Sequence, residues 1–189
     1  SWEPAYRYHR RVLKLLQWKC PPTLWHLKTP VHMLYLDALV AEYPHAKFLW
    51  SHRDPAQVLG SVCSLIAYCR TWVSDRDDTQ TIGAEQLAIW VEAIRRAIAF
   101  RARVGDARFA DIPFADIQSN PVMALQRAYT QLDIPFDARS HAAIKQWAHS
   151  HKPGQHGTHV SHLEDFGLSA DDVRAAFGSY TERFATLLA

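Results

Sequence analysis

One local arrangement occurs three times along the chain, and it limits the possible folds more than any other feature. Thr29-Pro30, Asp54-Pro55 and Asn120-Pro121 each set a helix-capping side chain directly before a proline. The capping oxygen satisfies an orphan amide of the first turn, and proline fits a first helical position whose N–H has no partner. Each pair follows an apolar run: Leu24 to Leu27, Phe48 to Trp50, and Phe109 to Ile117, the last interrupted by Pro113. Strand, short loop and capped helix in succession are the rhythm of an α/β fold with a parallel sheet. Leu24 to Leu27 and Phe48 to Trp50 are accordingly expected as buried strands.

The remaining segments fit that frame. Tyr6, Val12, Leu13 and Leu16 fall at helical spacing, and Pro21-Pro22 closes the segment. A long helical pattern runs from Ile82 to Val104, with Leu87, Trp90, Val91, Ile94 and Ile98 on one side. Ser140 to His149 predicts a shorter helix. His151 to Phe166 carries Gly154, Gly157 and four of the eleven histidines, and is expected as a loop. Ser169 caps a last helix with Asp171 and Asp172 in its first turn and Val173, Phe177, Tyr180 and Phe184 as its apolar stripe. No repeat or linker divides the chain, so residues 1–189 are expected to form one domain.

Composition narrows the function classes. At 48% hydrophobic and 21% charged, the chain can bury a real core. Its 21 basic and 19 acidic side chains leave a net charge of +2, too even for general binding of nucleic acid or a membrane surface. Any anion recognition must come from a few placed residues. No apolar run approaches the roughly 20 residues of a membrane span, and no signal peptide is visible. Cys20, Cys63 and Cys69 are odd in number and lack metal-type spacing, which favours a reducing, cytoplasmic setting.

The segment Phe48-Leu49-Trp50-Ser51-His52-Arg53-Asp54-Pro55 concentrates the chemistry. Ligands of open parallel sheets bind beyond the carboxyl ends of the strands, and helix N-termini there favour anions. Arg53 sits at that edge and can grip a phosphate with two parallel hydrogen bonds. Ser61, eight positions on and about two turns into the helix, can offer a hydroxyl to the same anion. The plainer alternative makes Asp54 only a cap and Arg53 a surface ion-pair partner.

With Val58 between them, Arg53-Asp54-Pro55 and Ser61 resemble the sulfotransferase element that binds the 3′-phosphate of 3′-phosphoadenosine-5′-phosphosulfate. Upstream, Trp25-His26-Leu27-Lys28-Thr29-Pro30-Val31-His32 resembles the segment that carries that family's catalytic base. Cytosolic members read Lys-Thr-His there. Pro30 takes that His position here, and His32 follows two residues later, as in bacterial relatives with a Lys-x-Pro-x-His pattern. The resemblance implies His32 as base and Lys28 as a stabiliser of charge on the transferring group. A histidine suits the first task because it titrates near neutrality; a surface His and an exposed Lys are the plainer readings. Phe114-Ala115-Asp116-Ile117-Gln118-Ser119-Asn120-Pro121 resembles the Tyr-x-Asp-Leu-x-x-x-Pro element. It implies that the Phe114 ring lies beside the adenine without the family's hydroxyl, and Asp116 is read as a structural hydrogen-bonding residue. Leu132-Asp133-Ile134-Pro135-Phe136 resembles the family's Leu-Gly-Ile-Pro turn. Lys152 and Gly154 correspond to the basic, Gly-containing loop that closes the phosphate site. His151, His156, His159 and His162 also invite a metal reading, but a solvated loop is preferred, and no metal is expected.

The fold implied is a three-layer α/β sandwich of the P-loop nucleotide hydrolase kind, represented by its helix-rich second half. The Pro-Lys-Ser-Gly-Thr-like loop that cradles the 5′-phosphosulfate is absent from Ser1 to Ala189. A preceding segment of the same protein is therefore an expected partner, together with a small-molecule acceptor bearing a hydroxyl or amine. Two rivals stand beside this reading. One is a non-catalytic protein-binding module using the aromatic side chains. The other is a nucleotide kinase, disfavoured because no P-loop or carboxylate–Mg²⁺ set is evident.

Overall fold

The computed structural model describes residues 1–22, 24–76, 78–151 and 161–188. It is helix-rich α/β with a small parallel sheet. β1 (Phe48–His52) and β2 (Phe109–Pro113) pair in register Phe48↔Phe109 through His52↔Pro113. Between them in sequence lie α3 (Pro55–Arg70) and α4 (Thr79–Val104). Before β1 come α1 (Glu3–Leu16), a 3-10 turn at Pro30–Leu34, and α2 (Leu36–Glu42). After β2 come α5 (Phe114–Ser119), α6 (Pro121–Gln131) and α7 (Ala138–Ser150). A 3-10 turn at Leu163–Phe166 then leads to α8 (Ala170–Ala176) and α9 (Gly178–Arg183).

The capping device forms at all three sites but starts an α-helix at only two. Asp54 accepts a bond from the Ala56 amide at 3.0 Å and starts the sixteen residues of α3. Asn120 accepts from Met123 at 3.1 Å and starts α6. Thr29 accepts more weakly from Val31, at 3.4 Å, and starts only the five-residue 3-10 turn. Ser169 caps α8 through the Asp172 amide at 3.1 Å.

Three expectations are corrected. Leu24 to Leu27 is not a buried strand: Leu24, Trp25 and Leu27 are exposed coil. The two strands pair with each other, and this segment pairs with neither, so its backbone has no ladder to join. The run after Phe109 ends as strand at Pro113, and Phe114 to Ser119 turns into α5. The expected last helix is broken at Phe177, just before Gly178, a poor helix former; its whole stripe is nonetheless buried.

Packing explains which face of each element is apolar. Ala56, Leu59 and Cys63 of α3 meet Ile82 of α4 and the C-terminal residues Leu163, Phe166, Val173, Phe177, Tyr180 and Phe184. The stripe Leu87, Trp90, Val91, Ile94 and Ile98 lines the border of that core, half-buried. Among the buried positions of α4, Ala93 and Ala97 are small and let its neighbours approach closely. Gly83 is the extreme case. A Cβ there would stand 2.1 Å from the Phe166 carbonyl oxygen, so only glycine lets the 163–166 turn lie on α4. On the other face of the sheet, Ala110 and Ile112 pack on Ala124 and Ala128 of α6 and on Leu132. β1 is less covered than expected of a buried strand: Phe48, Trp50 and His52 face inward, while Leu49 and Ser51 are exposed.

Candidate nucleotide site at the strand ends

The carboxyl ends of β1 and β2 meet where α3 and α5 begin. Arg53 leaves β1 exposed to solvent. Its guanidinium carbon lies 4.8 Å from the centroid of the Phe114 ring, a cation–π contact. Its Nε donates to Gln57 Oε1 at 3.0 Å, so the side chain is pre-oriented while its Nη groups have no protein partner among the described residues. Ser61 follows Gln57 by four positions, hence on the same face of α3 one turn further on, and is exposed. The sequence-selected Arg53, Phe114 and Ser61 thus fall along one surface. Arg53 is not buried in an ion pair, and Ser61 is not in the core.

Ser61 also borders an open cavity of ≈ 940 Å³. Leu65, Tyr68 and Ile82 supply its apolar wall, and Ser64, Thr71 and Thr79 its hydroxyls. The chain returns to this place at Ser161, whose Oγ would lie 3.2 Å from a methyl group on Gly60. Lys152 and Gly154 lie outside the described residues, as do His156 and His159. Among the described residues no three His, Cys, Asp or Glu gather as a metal site.

Asp54 does more than cap. Arg174 of α8 reaches its carboxylate at 2.7 Å and 3.3 Å. Burial alone would raise the Asp54 pKa, but the bonds from Arg174 and the Ala56 amide, with Arg53 nearby, hold it below its ordinary value. Asp116 has a structural partner as expected, forming an ion pair with Arg127 of α6.

His32 stands apart from this surface, half-buried in the 3-10 turn at Pro30–Leu34. Its Nδ1 lies 2.8 Å from the Tyr6 hydroxyl of α1. Burial, and then nearby His9, lower its pKa below 6.5, so the ring is neutral near pH 7. Tyr6 itself is pushed up to about 12 by burial and by Tyr35 and Tyr43. Lys28 is fully on the surface of the coil before Thr29. No contact joins His32 or Lys28 to Arg53, Ser61 or Phe114 among the described residues.

A buried network behind Arg53 is absent from the sequence reading. His52, 1% exposed, bonds Asp111 Oδ1 through Nε2 at 2.8 Å and the Tyr180 hydroxyl through Nδ1 at 3.2 Å. Arg101 grips the same Asp111 with two bonds of 2.7 Å. The signal was the alternation of β1 and β2, which puts His52 and Asp111 on one inward face; a polar residue there needs a buried partner.

The family model described as "Sulfotransferase family" matches residues 2–138. The chain belongs to this family. Among solved structures, sulfotransferase STF9 from Mycobacterium avium superposes with a TM-score of 0.87 at 27% identity, over 97% of this chain and 47% of that one. Sulfotransferase STF1 from Mycobacterium tuberculosis H37Rv superposes with a TM-score of 0.81 at 29% identity, over 94% of this chain and 46% of that one. The chain therefore spans about half the length of these solved sulfotransferases. No curated protein sequence matches it significantly. Among the described residues of this sulfotransferase-family chain, no helix is long and apolar enough to cross a membrane.

Proposed function

We propose that the chain forms the nucleotide-gripping half of a sulfotransferase that moves a sulfuryl group from 3′-phosphoadenosine-5′-phosphosulfate to a hydroxyl or amine of a small-molecule acceptor. The observation that carries this reading is the exposed Arg53, held by Gln57 against the Phe114 ring with Ser61 one turn further along α3. Those groups fit the donor chemically. The two Nη groups of Arg53 suit a bidentate grip on the 3′-phosphate, and Ser61 adds a hydroxyl. The Phe114 face not covered by Arg53 serves the adenine, while Lys152 and Gly154 close the site.

In this reading His32 accepts the acceptor's proton at Nε2. That requires the tautomer in which Nδ1–H donates to the Tyr6 oxygen, which orients the ring as a base must be oriented. Lys28 offsets charge growing on the transferring group. The loop that holds the 5′-phosphosulfate, absent from the sequence of these 189 residues, belongs to a preceding segment. That segment completes the three-layer, P-loop-type sandwich and the single catalytic domain. The three thiols, all unbridged, suit a cytoplasmic protein. A protein-binding module gives no reason for Arg53, Phe114 and Ser61 to share one exposed surface, so their placement favours the nucleotide reading over it.

Calorimetry on the protein including its preceding segment tests the central claim. Arg53→Ala should weaken adenosine 3′,5′-bisphosphate by about 2–5 kcal/mol, the range for truncating a desolvated charge pair. Adenosine 5′-monophosphate should lose far less. Equal losses for both nucleotides would remove Arg53 from the 3′-phosphate.

A further inference from the structure

The network behind Arg53 has a direction that can be read atom by atom. Arg101 is a fixed cation, and its two bonds hold Asp111 as a carboxylate that can only accept. His52 Nε2, 2.8 Å from that carboxylate, must therefore carry a proton. When Nε2 alone carries the proton, Nδ1 accepts from the Tyr180 hydroxyl 3.2 Å away. Every donor meets an acceptor, from the buried Arg101 at one end to the Tyr180 hydroxyl at the other.

Packing fixes the same parts. The Tyr180 ring lies 5.7 Å from the His52 ring at 22° and 6.3 Å from Trp50 at 29°. Phe184 closes over His52 at 4.3 Å. Tyr180 is 5% exposed, so its hydroxyl has no bulk water to turn to instead. It also lies beyond residues 2–138, the part that matches the family model.

We propose that Tyr180, acting through His52, is a positioning residue for Arg53. By holding the side chain of His52, the last residue of β1, it sets the direction in which the next residue, Arg53, leaves the sheet toward Phe114 and Ser61. The inference rests on the reading of Arg53 as the 3′-phosphate grip. It assigns no contact with the nucleotide to Tyr180 itself.

The test compares two probes, adenosine 3′,5′-bisphosphate and adenosine 5′-monophosphate, on the protein with its preceding segment. Tyr180→Phe keeps the ring stack and removes only the hydroxyl. The ratio of the two affinities should fall about 3–10-fold, the worth of roughly one hydrogen bond, with the monophosphate unchanged. General loosening would weaken both probes alike and leave the ratio intact, which would overturn the proposal. In an Arg53→Ala background the hydroxyl should no longer matter to the ratio; a persisting effect would also overturn it. If Arg53→Ala lowers the ratio and Tyr180→Phe does not, the positioning role falls while the phosphate grip stands. If Arg53→Ala leaves the ratio untouched, the grip itself falls and takes the positioning role with it. Should Tyr180→Phe not fold, the imidazole nitrogen chemical shifts of His52 in the wild type decide: a hydrogen-bonded Nδ1 supports the tie, and a free one overturns it.

Discussion

At Asp54 a cap and a proline start a helix of sixteen residues, whereas at Thr29 the same pair starts a turn of five. Before Asp54 stands a strand whose inward side chains are fixed from three directions, by β2, α4 and α9. Before Thr29 stands exposed coil, tied among the described residues by side chains: Trp25 to Gln17 at 3.1 Å and His26 to Tyr129 at 2.6 Å. The local chemistry of the two corners is nearly equal. Their difference lies in what surrounds them, and it separates two tasks in the proposed enzyme. The firm corner grips a phosphate, where rigidity favours binding. The open corner leads to His32, whose ring takes its orientation from Tyr6 of α1 rather than from the sheet.

The comparison sharpens most if the open corner carries the proton transfer. His32→Ala should lower kcat by about 10²–10⁴-fold, the usual worth of general acid–base catalysis, in the protein that includes its preceding segment. Donor affinity should barely move. Since the His32 pKa is lowered from 6.5 by burial and His9, and the base must be unprotonated, the acid limb of kcat against pH should have its midpoint below 6.5. Near-normal turnover in the variant would leave the open corner without a catalytic task.

The firm corner should fail from within. Arg101 is 6% exposed and holds Asp111, so Arg101→Ala should cost about 3–5 kcal/mol in urea unfolding, as breaking a buried pair does. Burial would raise the Asp111 carboxyl, but bonds from His52 and Arg101 pull it from 3.8 down to about 2. A value lower when folded than when unfolded stabilises above 3.8, and that contribution disappears as pH falls toward about 2. The acid loss should shrink in Arg101→Ala. An unchanged acid profile would mean that Arg101 does not set the Asp111 proton affinity.

A smaller contrast compares the caps directly. Asp54→Ala loses the Ala56 bond and the Arg174 ion pair, and should cost about 1–2 kcal/mol in thermal or urea unfolding. Thr29→Ala, exposed and with a 3.4 Å bond, should cost about 0.5 kcal/mol or less. Equal costs would erase the distinction between the two corners.

The sequence made local features legible and left non-local ones hidden. The caps at Asp54, Asn120 and Ser169 depend on atoms within three residues, and all three hold. β1 was legible because its apolar run ends at that capped corner. Leu24 to Leu27 has the same look, but whether an apolar run becomes a strand depends on a neighbour to pair with. The site divides in the same way. Spacing and resemblance select Arg53, Ser61 and Phe114 as candidates, and the three share a surface. Tyr180 was seen only as one member of an apolar stripe, because its hydroxyl meets His52 across 128 positions. Gln57 was overlooked for a different reason: a glutamine one turn into a helix has too many possible uses to suggest one.

The parallel pairing of Phe48 with Phe109 also bears on how the molecule assembles. Parallel neighbours cannot zip from a hairpin, so β1 and β2 meet only after the intervening chain, most of it α3 and α4, has been brought into place. Contacts so distant in sequence form late, since the entropy of closing the loop comes before any reward. The tie from α9 to the end of β1 spans twice that distance. The corner proposed to grip the phosphate is thus among the last places to acquire its native geometry, and a nucleotide bound there would hold the finished chain against reopening.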